Sequence, residues 1–247
     1  MILVSALLVA ACGGGSSSPS PTAQILEGRT FLSTRVDGPA LVAGTVIRIT
    51  FKDGSVTVNA GCNTFGGQYR IDGDRLIVGQ IVTTEIGCQP DLAAQDQWVG
   101  GLLGGATITL DGNDLTLAAS GIRVAFLDRV VADPDRPLLG TRWVVDGVVQ
   151  GGAVSSIPAD VVAALTFSDR AVDVEAGCNQ GGGSAKVTDA TIEFGPIGLT
   201  KKACQPPAMA VELAVTQVLS GTIGYQIEAG TLTLTAGGVG LTLRAAP

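Results

Sequence analysis

Four cysteines stand in two equal pairs, and their spacing could serve a disulfide, a metal site or a redox centre. Cys62 precedes Cys88 by 26 residues, and Cys178 precedes Cys204 by the same interval. A zinc ribbon or a dithiol redox centre uses Cys-x-x-Cys, which neither pair has. An exported chain permits disulfides, and closing loops of this length stabilises a fold by roughly 3.5 kcal/mol on the chain-entropy model. We predict two disulfides within domains, no metal site and no cofactor.

An asparagine directly follows the first cysteine of each pair. Asn63 lies in Ala60-Gly61-Cys62-Asn63, and Asn179 lies in Ala176-Gly177-Cys178-Asn179. Asparagine tolerates left-handed backbone and bonds to neighbouring main chain, so a turn role is the first prediction for both. A ligand contact is the alternative.

Catalysis by acid–base chemistry has few candidates in this chain. The sequence contains no histidine, which removes the usual general base and any Ser-His-Asp arrangement. A glycosidase needs two carboxylates across a cleft, one of them desolvated. The acidic pairs of this chain stand beside Gly or Pro in apparent turns, where water would solvate them: Asp72/Asp74, Asp111/Asp114 and Asp133/Asp135. We predict that the protein is not an enzyme.

The formal net charge of -7 argues against nucleic acid as a partner, because the chain cannot neutralise phosphates. It also argues against adhesion to an anionic membrane through protein charge. A membrane contact would therefore need another anchor.

The N-terminus supplies such an anchor. Residues 1–12 form a short apolar run that closes in Val9-Ala10-Ala11-Cys12, which resembles the lipobox of bacterial lipoprotein signals, with Cys12 as the lipidated residue. Residues 13–24 read as a flexible Gly/Ser tether that stiffens at its prolines. These features predict a lipid-anchored protein of the bacterial envelope, at the outer membrane and facing the periplasm, although no Lys or Arg precedes the apolar run.

The two cysteine units lie 116 residues apart within a longer repeat. Each copy reads as short strands and tight turns, with one helix after its second cysteine. In the first helix Asp91 is the predicted N-cap, and the second helix follows Pro206-Pro207. A linker rich in proline and charge, residues 132–137, separates a first domain at 25–131 from a second at 138–247.

The copies differ at two aromatic positions. Phe65 and Tyr69 align with Gly181 and Ala185, and they stand beside a Gly-Gly pair that suggests partial exposure. Phe65 and Tyr69 are therefore the candidate binding residues that the sequence indicates.

The order of strands, turns, helix and terminal Leu-Thr-Leu resembles the META/HslJ family in both copies. The motif falls on Gly61, Cys62, Asn63, Thr84 and Cys88, and again on Gly177, Cys178, Asn179, Thr200 and Cys204. The resemblance implies an α+β fold: two tandem small domains, each a curved, mostly antiparallel β-sheet packed on one α-helix. It also implies secreted or envelope-anchored domains associated with stress responses, and it brings no defined catalytic residue.

The function expected from these features is that of a non-enzymatic, envelope-anchored lipoprotein. Its partner would be a protein or an envelope component, in stress response or envelope maintenance. The alternative is a periplasmic inhibitor of a hydrolase, similar to the lipoproteins that inhibit lysozyme or proteases.

Overall fold

A computed structural model describes residues 21–246. The chain divides into two compact units, Met1–Ala132 and Asp133–Pro247. The predicted signal (1–12), its lipidation site Cys12 and the tether residues 13–20 lie outside the described residues. The last tether residues, 21–24, differ from the prediction because they belong to helix α1 (Pro21–Leu26), which the fully buried Leu26 attaches to the core.

The first unit is built mainly of antiparallel strands. These are β1 (Thr30–Asp37), β2 (Arg48–Lys52), β3 (Ser55–Asn59), β4 (Thr64–Asp72), β5 (Arg75–Val78), β6 (Val82–Thr83), β7 (Thr107–Asp111), β8 (Asp114–Ala119) and β9 (Ile122–Asp128). Helix α2 (Pro90–Leu102) lies between β6 and β7, and the short helix α3 (Arg129–Ala132) ends the unit.

The second unit repeats this order. Its strands are β10 (Arg142–Gln150), β11 (Ala153–Ser156), β12 (Ala163–Phe167), β13 (Ala171–Ala176), β14 (Gln180–Val187), β15 (Thr191–Phe194), β16 (Gly198–Leu199), β17 (Gly221–Glu228), β18 (Thr231–Ala236) and β19 (Val239–Ala245). Helix α4 (Pro206–Val218) stands between β16 and β17.

Each sheet is curved and antiparallel, as the resemblance implied, and it also closes on itself. In the first unit the strand order is β3-β2-β1-β9-β8-β7-β5-β4, and β4 pairs back to β3. In the second unit the order is β10-β12-β13-β14-β15-β17-β18-β19, and β19 pairs back to β10. Closure removes the exposed edges that an open sheet of short strands would carry. Both units are therefore mostly β, barrel-like and antiparallel, with few helical residues.

The cores follow from strand alternation. In β3 the side chains of Val56 and Val58 point inward and are buried, while Thr57 between them is exposed. Val99 and Leu102 of α2 belong to the same buried cluster as these strand residues. In the second unit Val215 of α4 belongs to the corresponding cluster. Each unit thus has its own hydrophobic core.

Helix α2 begins two residues earlier than predicted, and Asp91 is not its N-cap. Gln89 occupies the cap position with extended backbone (φ -64°, ψ 148°), and Pro90 opens the helix. A residue before proline favours this extended conformation, and proline fits the first helical position because its missing N–H needs no partner there. Gln205 and Pro206 begin α4 in the same way.

The copies differ in length between their first two main strands. Phe31 of β1 pairs with Ile49, 18 residues further on, whereas Trp143 of β10 pairs with Leu165, 22 residues further on. The second unit therefore has four more residues here. They extend the chain into the β10–β11 hairpin, for which the first unit has no equivalent strand.

Candidate functional site

The two predicted disulfides are confirmed. Cys62 is bonded to Cys88 with their Cα atoms 6.1 Å apart, and Cys178 is bonded to Cys204 with Cα atoms 5.9 Å apart. Each bond joins the turn after β3 or β13 to the segment just before the long helix. The disulfide thus fixes the start of α2 or α4 against the sheet.

The glycine before each first cysteine is required by backbone and by space. Gly61 has φ +130° and Gly177 has φ +97°, in the region that favours glycine. A Cβ at Gly177 would stand 3.0 Å from Val161 and 3.2 Å from Val211, so a larger residue would push the helix away. The Gly-Cys-Asn turn therefore lies directly against the helix in both units.

Asn63 ties three segments of the first unit together. Its side-chain carbonyl Oδ1 accepts hydrogen bonds from Thr84 Oγ1 (3.0 Å) and from the Ile86 amide (2.9 Å). Its own amide N–H donates to Asp96 Oδ2 of α2 at 2.7 Å, and its Nδ2 lies 3.1 Å from Cys88 Sγ. Thr84 Oγ1 also accepts from the Thr64 amide at 3.1 Å. Asn63 does more than shape a turn, because it connects the turn, the cysteine loop and the helix.

Asn179 makes a tighter version of this network and is buried. Its Oδ1 accepts from Thr200 Oγ1 and from the Lys202 amide, both at 2.7 Å. Its amide N–H and its Nδ2 both donate to Glu212 Oε2, each at 2.9 Å. Nδ2 also donates to the Lys202 carbonyl at 3.2 Å. These contacts use both sides of the amide, which leaves Asn179 no free polar group with which to bind a ligand.

The helix carboxylates of these networks were missed in the sequence. Asp96 and Glu212 lie 116 residues apart, so the repeat alignment places two acidic residues at one helix position. The signal was present in that equivalence, but an acidic residue on a helix is ordinarily a solvated one. Asp96 is buried, and its Oδ1 has no hydrogen-bond partner among residues 21–246.

One group of potential metal ligands comes together within the described residues. Donor atoms of Cys62, Cys88 and Asp96 lie within 4.8 Å of one another. Both cysteines are disulfide-bonded, however, and the ligand that soft metals bind is a thiolate. In the oxidised chain this cluster therefore offers a single carboxylate.

Phe65 is not an exposed binding residue, which corrects the expectation from the sequence. Its side chain is 5% exposed and its ring lies over Gly100 of α2. The Gly-Gly pair beside it, Gly66 and Gly67, belongs to the continuous strand β4. A Cβ at either glycine would collide with a backbone carbonyl of an adjacent segment, that of Val56 or Gln80. The glycines allow close approach of backbones and do not form a loop.

Tyr69 also packs against the hydrophobic core, although its side chain is only half-buried. Its ring packs edge-on against Phe51 with ring centroids 5.1 Å apart, and its hydroxyl donates to the Ala23 carbonyl at 3.2 Å. The aligned residues Gly181 and Ala185 lie in strand β14. The aromatic difference between the copies is therefore one of packing.

Ionisation of Tyr69 should make the stability of the first unit depend on pH in the alkaline range. Burial raises the pKa of the Tyr69 phenol above its ordinary value of 10.0, and the Glu27 carboxylate raises this pKa further. The unfolded chain loses the proton first, so stability is complete below the unfolded pKa and is lost as the pH rises through the folded pKa. In urea unfolding from about pH 9 to about pH 11, Tyr69→Phe should show a shallower decline than the native chain. Equal declines would contradict this assignment.

The acidic pairs considered as catalytic groups all lie in exposed positions, as solvated turn residues would. Asp72 forms an ion pair with Arg70 at 2.9 Å, and Asp111 faces Asp114 across the β7–β8 turn. The buried carboxylates of the described chain are Asp96 and Asp128. Asp128 accepts from Arg29 Nε at 2.6 Å.

The copies also differ on the outer face of the long helix. Helices α2 and α4 have the same length and lie 116 residues apart, so their positions correspond one to one. Where α2 exposes Ala93 and Gln97, α4 exposes Met209 (53%) and Leu213 (69%). The outer face of α4, defined here by Met209 and Leu213, was not identified in the sequence because the residues read as ordinary helix residues.

Each unit is thus a small antiparallel β domain in which a disulfide and an asparagine network hold one long helix. The chain belongs to the META domain family, whose model matches residues 24–131 and 136–246. No curated protein matches the chain.

Several solved structures resemble one of the two units. A protein solved by NMR is 24% identical with a TM-score of 0.38, covering 44% of this chain and 95% of its own. An NMR structure from Burkholderia xenovorans is 15% identical (TM-score 0.37, 49% and 98% covered). A DUF4847 family protein from Bacteroides vulgatus ATCC 8482 is 17% identical (TM-score 0.33, 43% and 96% covered).

Among the described residues, every helix is too short or too polar to cross a membrane.

Proposed function

We propose that this protein is a non-enzymatic, envelope-anchored lipoprotein that binds a protein or another envelope component through the outer face of α4. The observation that carries the proposal is the exposure of Met209 (53%) and Leu213 (69%) on a helix with one charged residue, Glu212. That residue is engaged by Asn179. A helix that is apolar on nearly all sides is normally buried against other parts of a protein. Apolar patches that stay exposed mark interaction sites.

The absence of catalysis is part of the proposal. The chain has no histidine, and each buried carboxylate of the described residues accepts a hydrogen bond from the protein through at least one oxygen. Asp96 accepts from the Asn63 amide, and Asp128 accepts from Arg29. A general acid or base needs a carboxylate that faces a substrate site.

The proposed anchor is the lipidated Cys12, with residues 13–20 spacing the domains from the outer membrane on its periplasmic side. The apolar run that closes in Cys12 and the Gly/Ser-rich segment after it support this. Cys12→Ser should move the protein from the membrane fraction to the soluble fraction, because the lipid chain is lost and no helix among residues 21–246 could cross the membrane. The measurement is fractionation with immunoblotting, and Ser16→Ala is the control. Membrane recovery of Cys12→Ser equal to that of the native chain would contradict the anchor.

The binding surface is tested by converting it to its counterpart in the first unit. The variant M209A/L213Q gives α4 the two outer residues of α2 and leaves the buried Val211, Val215 and Val218 unchanged. Soluble chain beginning at Gly13 is immobilised and exposed to envelope extract. We expect capture by the native chain and at least about a tenfold loss in the variant, because exposed apolar anchors dominate such interfaces.

A second candidate function is inhibition of a hydrolase by an inserted loop. The observation in its favour is the β10–β11 hairpin, whose tip residues Gly151 and Gly152 are exposed and which the first unit lacks. The capture experiment separates the two functions. An inhibitor acting through this hairpin would capture a hydrolase, and M209A/L213Q would retain the capture.

A further inference from the structure

A groove lies beside α4 in the second unit, between the helix and the β10–β11 hairpin. In that hairpin Val148 pairs with Ser155 and Gln150 pairs with Ala153, so these side chains share one face of the ribbon. That face and the helix line a cavity of about 410 Å³. This volume lies in the range of ligand pockets, roughly 300–1,000 Å³.

Small side chains on the helix keep this groove open. Helix residues separated by three, four and seven positions share one face, and here they are Pro207, Ala210, Val211 and Ala214. Alanine at two of these positions leaves room between the helix and the ribbon. The groove is therefore a consequence of residue size on both walls.

The first unit fills the corresponding helix positions with its own side chains. Gln95, which corresponds to Val211, accepts from the Val42 amide at 2.7 Å and donates to Thr45 Oγ1 at 2.9 Å. It thereby holds the segment between β1 and β2 onto the helix. Trp98, which corresponds to Ala214, packs against the core. The same helix position thus carries an indole in one unit and a methyl group in the other.

The groove favours an uncharged occupant. The residues that line it include no Asp, Glu, Lys or Arg, so a charged group inside would lose hydration without gaining a partner. The adjacent strand β11 is exposed along its whole length and, among the described strands, pairs with β10 alone. An added strand could pair with the other edge of β11 and direct alternate side chains toward α4.

We propose that this groove binds an aromatic side chain, of indole size, from an extended uncharged segment of a partner protein that pairs along β11. The aromatic side chain of the partner would lie beside Ala214, whose equivalent in the first unit, Trp98, carries an indole of its own. This inference rests on the proposed binding function and names its partner chemistry. It also assigns a role to the β10–β11 hairpin, which forms the outer wall of the groove and has no equivalent strand in the first unit.

The test uses an uncharged seven-residue peptide, acetylated and amidated, with tryptophan or alanine at its centre. It is titrated into ¹⁵N-labelled chain beginning at Gly13, and amide shifts are followed by NMR. We expect saturable shifts at Val148, Ser155 and Ala214, with the alanine peptide at least about tenfold weaker. Free N-acetyltryptophanamide should bind the same residues more weakly than the tryptophan peptide, because it lacks the strand contacts.

Two variants fill the groove from opposite walls. Ala214→Trp and Ser155→Leu should each weaken the tryptophan peptide by at least about tenfold, whereas Ala93→Trp, on an exposed position of α2, should not. Equal affinity of the two peptides, or unchanged affinity in both groove variants, would overturn the inference. A different result would separate the two proposals. If the groove variants lose peptide binding but M209A/L213Q still captures proteins from envelope extract, the proposed function is refuted and the groove assignment stands.

Discussion

Asn179→Asp is expected to lower the unfolding free energy of the second domain by roughly 3 kcal/mol at neutral pH. Asn179 is buried and its Nδ2 donates to Glu212 Oε2 at 2.9 Å and to the Lys202 carbonyl at 3.2 Å. The Asp carboxylate has the same shape as the Asn amide, but it would place an oxygen that only accepts hydrogen bonds opposite two other acceptors, Glu212 Oε2 and the Lys202 carbonyl. It would also place two negative charges in direct contact.

The loss should diminish as the solution becomes acidic. The Glu212 charge raises the pKa of the new carboxyl in the folded chain above its unfolded value, which is about 3.9. Stability from a group with a raised pKa is fully present below the unfolded pKa and is lost as the pH rises through the folded pKa. The difference between Asn179→Asp and the native chain should therefore be smaller near about pH 4 than at neutral pH. Hydrogen–deuterium exchange resolved by peptide measures each domain separately.

The first domain offers a matched control. Asn63 directs its Nδ2 to Cys88 Sγ, whereas Asp96 accepts from the Asn63 main-chain amide. Asn63→Asp should therefore show a weaker dependence on pH. A pH-independent loss in Asn179→Asp, or equal pH dependence in both variants, would mean that the Asn179–Glu212 contact does not carry the effect.

Removing either disulfide is expected to lower the unfolding free energy of its domain by roughly 3.5 kcal/mol, because each closes a loop of 26 residues in the unfolded chain. The double variants Cys62→Ser/Cys88→Ser and Cys178→Ser/Cys204→Ser should lose similar amounts, since the loops are equal. Guanidinium unfolding of each variant beside the native chain provides the measurement. A loss below about 1 kcal/mol in both would contradict a stapling role.

Much of this fold could be predicted because local physics determines it. The short strands and tight turns predicted for each copy are present, for example in β3 (Ser55–Asn59) and β5 (Arg75–Val78). The equal cysteine spacing predicted both disulfides. The helices were predicted from proline and apolar spacing, although Asp91 was assigned the cap that Gln89 holds.

The remaining features depend on contacts between distant residues. Closure of each sheet depends on the pairing of its first long strand with its last, β1 with β9 and β10 with β19, which no local pattern specifies. Phe65 was misassigned because its burial comes from Gly100 in a helix 35 residues away. Asp96 and Glu212 occupy equivalent helix positions in the repeat, but the sequence does not show that each accepts a hydrogen bond from the Gly-Cys-Asn turn. The outer face of α4 could be recognised only by comparing equivalent helix positions.

We propose that the second domain carries the binding surface and that the first does not. The measurement that tests it most directly is the capture yield from envelope extract for three chains: native, M209A/L213Q, and the reciprocal A93M/Q97L. Matched thermal unfolding of the three chains shows that each is folded. We expect M209A/L213Q to lose the captured proteins, while the native chain retains them and A93M/Q97L retains at least as much. Equal capture by native and M209A/L213Q chains would contradict it.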